Sequence, residues 1–306
     1  MTATAPQGKR LATRLILGVV LIATVIVTTL VDVGSKLPRI APWVAAAVAM
    51  GALFEYAAML SVDATRRRVF DAMLLGGAMI VLVRPVTVLL GIDCGVAGPL
   101  SAALVAFALV GMVSVWSHRH RDVTPESLRD LSGAFLGLSI VPLPLAILVE
   151  IGCLQRPHGA VVLGDAVGPY LLLFALFTSK LNDMGGYLVG IAIGRTKLCP
   201  GVSPNKSVEG AVGGMLLSAT GAVLASSNIA VLSSLGIGPM KAVVFAIVVS
   251  VATITGDLLE SLIKRAVRVK DSASLLPAFG GLFDLVDSFI FAAPAGYTLL
   301  RAWLAP

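Results

Sequence analysis

The stretch MKAVVFAIVVSVATITGDLLESLI, residues 240–263, indicates the fold class, because it is predominantly apolar and as long as a membrane-spanning helix. An α-helix needs about 20 consecutive apolar residues to cross the hydrocarbon core of a bilayer. The composition indicates the same class, since only 13% of the 306 residues are charged, against roughly 25% in soluble domains. With a mean hydropathy of +0.95, the chain is predicted to be an all-α, polytopic integral membrane protein.

Comparable apolar runs recur along the chain, and they predict about nine transmembrane helices. These lie near residues 13–33, 40–62, 70–92, 96–117, 131–152, 168–192, 211–236, 240–263 and 288–304. The first is expected to be an uncleaved helix, because its apolar run is too long for a typical signal peptide. About five spans fall in residues 1–165, and residues 166–306 are interpreted as a catalytic transmembrane region because polar residues concentrate there.

The positive charge is distributed as in a membrane protein rather than in a nucleic-acid-binding protein. The net charge is +6, and Lys and Arg cluster in alternate connections, around residues 9–14, 66–68, 119–121, 195–206 and 264–270. The positive-inside rule then places the N-terminus and these connections in the cytoplasm. We therefore expect a multi-pass protein of the inner (cytoplasmic) membrane whose active site faces the cytoplasm, with no nucleic acid as a partner.

The end of the 240–263 run carries polar side chains at helical spacing. Thr253, Asp257, Ser261, Lys264 and Arg268 are separated by four, four, three and four residues, which places them on one face of a helix. Basic side chains at a helix end are ordinary, because they extend toward the membrane surface. That explanation does not cover Asp257, and carboxylates within a membrane segment generally have a function.

A pair of carboxylates follows in LPAFGGLFDLVDS, residues 276–288. Asp284 and Asp287 are three residues apart, so they share a face if a helix has begun after Gly280-Gly281. Two such carboxylates repel each other, and a cation relieves the repulsion. Mg²⁺ suits this arrangement, since it takes one or two carboxylates together with phosphates and water. A helix N-cap role for Asp284 is the alternative.

The segment KLNDMGGYLVGIAIGRTKLCPGVSPNKSVEG, residues 180–210, is the third polar region. Asp183 follows an apolar stretch, while Arg195, Lys197 and Lys206 flank a loop rich in Pro and Gly. Such a loop is able to present backbone N–H groups and cations to a polyphosphate. An ordinary cytoplasmic loop that obeys the positive-inside rule fits its composition equally well.

Together these motifs resemble the signature of the phosphatidate cytidylyltransferases, also called CDP-diacylglycerol synthases. That signature has a serine, a Lys-Arg pair, a Lys-Asp pair, a Pro-x-His-Gly-Gly turn and two aspartates three residues apart. In the same order, this chain supplies Ser261, Lys264-Arg265, Lys270-Asp271, Pro277, Gly280-Gly281, Asp284 and Asp287. The 180–210 segment is similar to the family's Ser-Pro-Asn-Lys-Thr-x-Glu-Gly region. Phe279 stands where the family usually has His, and Leu285 where it commonly has Arg.

The resemblance implies an enzyme that transfers CMP from CTP to phosphatidic acid, releasing pyrophosphate and forming CDP-diacylglycerol for phospholipid biosynthesis. It implies Mg²⁺ held by Asp257, Asp284 and Asp287, leaves a second cation such as K⁺ open, and adds Ser261 and Lys264 to the catalytic set. A homodimer in the lipid bilayer is compatible with it. The substrate-binding residues that it implies are Asp183, Ser203, Asn205, Lys206, Arg265, Lys270 and Asp271.

Two other functions stay open from the residues. The nearer is a related membrane transferase that uses another lipid phosphate or a polyprenol. The more distant is an ion-coupled transporter with carboxylates along its path, although transporters place such sites near the membrane midplane between repeated halves.

Overall fold

The computed structural model describes residues 40–60, 67–119, 123–155, 167–269 and 281–304, together with Val27 and Val31. Within these ranges the chain is helical apart from one short hairpin, which confirms the all-α polytopic prediction. The predicted first span, 13–33, lies almost wholly outside the described residues.

The N-terminal half of the described chain contains five helices. In chain order these are α1 (Ala41–Met59), α2 (Arg67–Leu89), α3 (Ala97–Ser117), α4 (Pro125–Ile140) and α5 (Pro142–Gly152). The predicted span 131–152 is thus two helices that meet at Val141. Pro142 and Pro144 have no backbone N–H to continue the hydrogen bonds of α4, so the helix breaks there.

The C-terminal half contains six helices and one hairpin. In chain order these are α6 (Gly168–Ile193), β1 (Lys197–Cys199), β2 (Ser203–Ser207), α7 (Val208–Asn228), α8 (Ala230–Ser234), α9 (Pro239–Ala266), α10 (Leu282–Val286) and α11 (Phe289–Leu304). The two strands pair antiparallel. The hairpin occupies the Pro- and Gly-rich stretch for which the sequence predicted only a loop.

Seven segments of the described chain are long and apolar enough to cross a membrane. They are α1, α2, α3, the α4–α5 pair, α7, α9 and the α10–α11 pair. Helix α6 has 26 residues, enough to span a bilayer, but Lys180, Asn182 and Asp183 interrupt its apolar stretch. The predicted span 168–192 therefore exists as a helix that carries charge in its middle.

The outer surface of the bundle is apolar, as expected for contact with lipid. Leu104, Val115 and Met240 are 73%, 76% and 77% exposed, which would be costly in water for so many large side chains. Inside, one continuous hydrophobic core contains residues from α1 through α11. The division of the chain at residue 165 stays a prediction.

One end of the bundle gathers segments from four parts of the chain. Ion pairs and hydrogen bonds join the last turns of α1, the β1–β2 hairpin, the second half of α9 and the start of α10. This end carries the polar motifs that the sequence singled out.

Candidate active site

Charged and polar side chains from α6, β2, α9 and the α10–α11 junction meet inside this end of the bundle. Helix α6 supplies Lys180 and Asp183, β2 supplies Lys206, α9 supplies Asp257, and Ser288 follows α10. Asp257 lies nine residues before the end of α9 at Ala266, or about 14 Å along the helix axis. The site is therefore set well into the bundle rather than at the helix ends, where the sequence placed its charges.

The first carboxyl pair joins α9 to the junction between α10 and α11. The carboxyl groups of Asp257 and Asp287 lie within hydrogen-bonding range of each other. Lys206 forms an ion pair with Asp257, and each of these two side chains is 27% exposed. Asp287 is more deeply buried, at 9% exposure. Two carboxylates this close repel unless a proton or a cation is shared between them.

Ser288 links this pair to the charged residues of α6. Its hydroxyl oxygen lies 3.1 Å from Asp287 Oδ1 and 3.0 Å from Asp183 Oδ2. Because a hydroxyl has a single proton, Ser288 donates to one of these carboxylates at a time. Lys180 Nζ donates to Ser288 Oγ at 3.2 Å and to Asp183 Oδ2 at 3.1 Å. One polar network thus connects α6, α9 and the α10–α11 junction.

A second carboxyl pair lies one helical turn away. Glu260 on α9 and Asp284 on α10 are within hydrogen-bonding range of each other, and Lys264 contacts both. Lys264 Nζ lies 2.6 Å from Glu260 Oε1 and 3.4 Å from Asp284 Oδ1. Asp284 Oδ2 also accepts from Gly281 N at 3.3 Å, which closes the first turn of α10. Asp284 thus combines a capping interaction with a place in the charged cluster.

Gly256 explains how the two carboxyl-bearing segments come so close. A Cβ at this position would collide with the backbone carbonyl oxygen of Asp287. Only glycine lets α9 approach the α10–α11 junction at this distance. The approach brings Asp257, the next residue along α9, beside Asp287.

The hairpin is held in place by the helices that flank it. Helices α6 and α7 cross at glycines, where Gly185 faces Gly214 and Gly190 faces Gly210; small residues let two helix backbones approach closely inside a membrane. Ser207 caps α7 by accepting from Gly210 N at 3.1 Å. These contacts fix β2 over α9, where Lys206 reaches Asp257.

The structure brings some of the predicted site residues together and separates others. Asp183, Lys206, Asp257 and Asp287 belong to one network, whereas Asp284 joins Lys264 one turn away. The predicted metal set of Asp257, Asp284 and Asp287 is thus divided between two carboxyl pairs, and its metal-binding role stays a prediction.

Other predicted residues lie around this cluster. Ser261 is half-buried on α9, Arg265 is exposed in the last turn of α9, and Ser203 and Asn205 lie on β2. Lys270 and Asp271 lie outside the described residues, as does Phe279. Arg268 is not on the predicted helical stripe, because α9 ends at Ala266 and Arg268 has a φ of 61°.

Three members of the cluster were not predicted: Lys180, Glu260 and Ser288. Glu260 follows Asp257 by three residues, and this repeat of a carboxylate at helical spacing was a signal in the sequence. Lys180 also had a signal, since it interrupts an apolar run. Ser288 had no such signal in the sequence, because its role depends on contacts with residues of other helices.

The charge balance of the cluster suits a divalent cation. Five carboxyl groups face three ammonium groups, which gives a formal charge of −2 when every group is ionised. Within the described residues no three Asp, Glu, His or Cys side chains converge as a metal site. A pair of carboxylates completed by phosphates and water is the usual coordination of Mg²⁺, so the residues fit this ion.

Comparison with known families identifies the class of protein. A sequence model of the cytidylyltransferase family matches residues 12–303, nearly the whole chain. The chain belongs to the cytidylyltransferase family. The matched residues include α1 to α11 of this cytidylyltransferase, and hence every described member of the charged cluster.

Individual relatives of this cytidylyltransferase are similar over shorter stretches. Phosphatidate cytidylyltransferase of Bacillus subtilis is 37% identical over 136 residues, which are 44% of this chain and 49% of the relative. That of Haemophilus influenzae is 41% identical over 131 residues, 42% of this chain and 44% of the relative. Uncharacterized protein YnbB of Escherichia coli is 37% identical over 141 residues, 44% of this chain and 43% of the relative. The chain thus spans about half the length of the curated relatives it matches.

Proposed function

We propose that this cytidylyltransferase transfers CMP from CTP to phosphatidic acid, giving CDP-diacylglycerol and pyrophosphate. The main support for this proposal is the cluster of five carboxyl groups and three lysines inside one end of a membrane-spanning bundle. A nucleotide and a lipid phosphate are both polyanions, and their reaction needs cations placed beside a membrane. The names of the relatives from Bacillus subtilis and Haemophilus influenzae support the same activity.

In this reaction an oxygen of the lipid phosphate attacks the α-phosphorus of CTP. A bond forms between that oxygen and the phosphorus, and the bond from the phosphorus to the oxygen that bridges to the β-phosphate breaks. Pyrophosphate leaves with the electron pair. The attacking phosphate monoester has a second pKa of about 6, so it is largely deprotonated at neutral pH and needs no general base. Positioning and charge neutralisation are then the main tasks of the protein.

The lysines of the cluster are suited to the phosphate groups. Lys206 extends from the hairpin and is partly exposed beside Asp257, so it is placed to contact an entering nucleotide. Lys180 and Lys264 lie at the two carboxyl pairs. An ammonium group beside a phosphate forms a charge-assisted hydrogen bond, which is stronger than a neutral one.

The carboxyl pairs are suited to Mg²⁺. Asp257 and Asp287, or Glu260 and Asp284, would each offer two carboxylates to the ion, and a second cation such as K⁺ is compatible with two pairs. When bound, Mg²⁺ would neutralise charge on the phosphates of CTP. The residues that hold it would be oriented by Lys206, Lys264 and Ser288, which already contact them.

The location proposed for this site is the cytoplasmic face of the inner membrane. Arg195, Lys197 and Lys206 flank or lie in the hairpin, and the positive-inside rule places such a segment in the cytoplasm. CTP is available on that side. A homodimer, implied by the family resemblance, is a further prediction that equilibrium sedimentation in detergent tests.

The experiment that tests the proposal compares lipid acceptors. Purified protein receives CTP and Mg²⁺ with phosphatidic acid, a diether lipid phosphate or a polyprenol, and pyrophosphate release is followed together with the lipid product. We expect release with phosphatidic acid and a product that contains CMP. A preference for another lipid phosphate would revise the acceptor, transfer of a single phosphate to polyprenol would replace the reaction class, and ion uptake without CTP consumption would indicate a transporter.

A further inference from the structure

Glu55, in the N-terminal half of the chain, contacts the short helix that carries two of the site carboxyl groups. It lies on α1 and is 1% exposed. Its Oε2 atom accepts a hydrogen bond of 2.9 Å from the backbone N–H of Phe283. Phe283 is the second residue of α10, so its N–H is one of those that a helix cannot satisfy internally. The Glu55 carboxylate therefore caps α10 from another helix.

Gly51 and Tyr56, which neighbour Glu55 on α1, also pack against the start of α10, and these three residues form a seat for α10. A Cβ on Gly51, one turn before Glu55, would collide with the side chain of Leu282. The rings of Tyr56 and Phe283 meet edge to face at 5.7 Å, and the hydroxyl of Tyr56 donates to Gly133 O at 2.9 Å. The first two residues of α10 are thus held by their backbone and by both side chains.

Such a seat is needed because α10 is too short to be stable by itself. It has five residues, whereas isolated helices shorter than about 12 residues are marginal in water even with favourable sequences. Asp284 follows Phe283 directly, and Asp287 is the C-cap residue immediately after the helix. Any movement of the first turn of α10 therefore moves both carboxyl groups relative to Asp257 and Glu260.

A buried glutamate at position 55 lowers the free energy of unfolding relative to an apolar residue. Its presence there therefore indicates a function. Oε1 of Glu55 is buried and has no hydrogen-bond partner among the described residues. Burial of a carboxylate that is only partly hydrogen-bonded is unfavourable. An uncharged residue would avoid this cost but would lose the charge-assisted bond to Phe283 N, which is stronger than a neutral one.

We infer that Glu55 is a positioning residue of the active site, which fixes Asp284 and Asp287 by anchoring the first turn of α10 to α1. At 1% exposure, Glu55 has almost no surface with which to contact a substrate. The inference rests on the proposed function, because it holds that Glu55 maintains the affinity of the carboxyl pairs for a cation. Removal of partners that orient metal ligands typically weakens metal affinity or activity by about 10- to 100-fold.

The test measures cation binding directly, without turnover. Full-length protein in detergent is titrated with Mn²⁺ alone, and the free ion is followed by electron paramagnetic resonance. We expect Glu55→Leu to raise the dissociation constant for Mn²⁺ at least ~10-fold. Glu55→Gln keeps an oxygen that accepts from Phe283 N, so its effect should be smaller. Glu150→Leu is the matched control: it removes another buried glutamate, which pairs with Arg84 at 3.4 Å and does not contact α10, so its Mn²⁺ affinity should equal that of the wild type.

A merely structural role for Glu55 predicts a different pattern, with lower thermal stability and unchanged Mn²⁺ affinity in every folded variant. That result overturns the inference. If Glu55→Leu does not fold, Glu55→Asp decides, because its shorter side chain withdraws the carboxylate from Phe283 N and should weaken Mn²⁺ binding at least ~10-fold. A wild type that binds no Mn²⁺ overturns the inference together with the metal site. Normal Mn²⁺ binding that depends on Glu55, without CTP turnover, supports the inference and rejects the proposed reaction.

Discussion

Replacement of Gly256 with Ala tests whether close packing of α9 on the α10–α11 junction sets the geometry of the active site. A Cβ at Gly256 would lie inside 3.0 Å of Asp287 O, a distance that real Cβ atoms essentially never show. To regain a normal van der Waals contact, the two segments must separate by roughly 1 Å. That shift moves Asp287 away from Asp257.

The expected loss of activity is larger than the expected loss of stability. A misplacement of about 1 Å in an active site is able to lower the rate about 100-fold, equivalent to about 2.7 kcal/mol of barrier. Overpacking costs roughly 1–3 kcal/mol of folding free energy, partly offset by the better helix propensity of Ala over Gly, about 1 kcal/mol. The variant should therefore stay folded.

The assay is the initial rate of pyrophosphate release from CTP with phosphatidic acid and Mg²⁺, with thermal unfolding measured on the same samples. Gly111→Ala on α3 is the matched control, since the nearest atom to its added Cβ is a ring carbon of Phe135 at 3.9 Å. It should retain full activity. If folded Gly256→Ala worked within about threefold of the wild type, well under the 100-fold expected for a 1 Å shift, the packing argument would be wrong.

Three further predictions concern the hairpin lysine, the sidedness of the hairpin and an ion pair far from the charged cluster. Lys206→Ala should lower kcat/KM for CTP by roughly 10- to 100-fold, the effect of removing one hydrogen bond to a charged group; steady-state kinetics with CTP as the varied substrate measure it. Gly201→Cys lies in the open turn of the hairpin and is made in a protein without the three native cysteines. In intact cells it should react only with membrane-permeant thiol reagents. Labelling by an impermeant reagent would show that the hairpin lies outside the cytoplasm. At the other end of the bundle, the hydrogen bond from Arg84 holds the pKa of Asp93 below its usual value, so the pair stabilises the fold above pH 4 and this contribution is lost as the pH falls below about 4. Asp93→Asn should therefore unfold at a lower temperature than the wild type at pH 7, with a smaller difference at acidic pH; equal differences at both would contradict the assignment.

The fold class was predictable from the sequence because hydrophobicity is a local property. The runs near 40–62 and 96–117 appear as helices α1 and α3, with ends that differ by a few residues. The break at Val141 was less evident, since the apolar run continues through Pro142. The hairpin was missed because its short strands contain no apolar alternation that would indicate a strand.

The site was only partly predictable, because its geometry depends on contacts between distant parts of the chain. Helical spacing identified Asp257, Asp284 and Asp287, but it could not show which of them are neighbours. Their division into two pairs follows from the approach of α9 to α10, which requires Gly256. The contact between Glu55 and Phe283 joins residues 228 positions apart, and no local pattern reports such a pairing.

The most direct test of the central claim is transfer of label from CTP to lipid by matched proteins. Wild type and Asp287→Asn are incubated with phosphatidic acid, Mg²⁺ and CTP that carries radioactive phosphorus at either the α or the γ position, and the lipid fraction is counted. We expect α-label to enter the lipid and γ-label to appear in pyrophosphate. Asp287→Asn, which removes one carboxylate and keeps the shape of the side chain, should lower transfer about 100-fold. Entry of γ-label into the lipid would refute transfer of CMP, and full activity of folded Asp287→Asn would refute the role of the carboxyl pair.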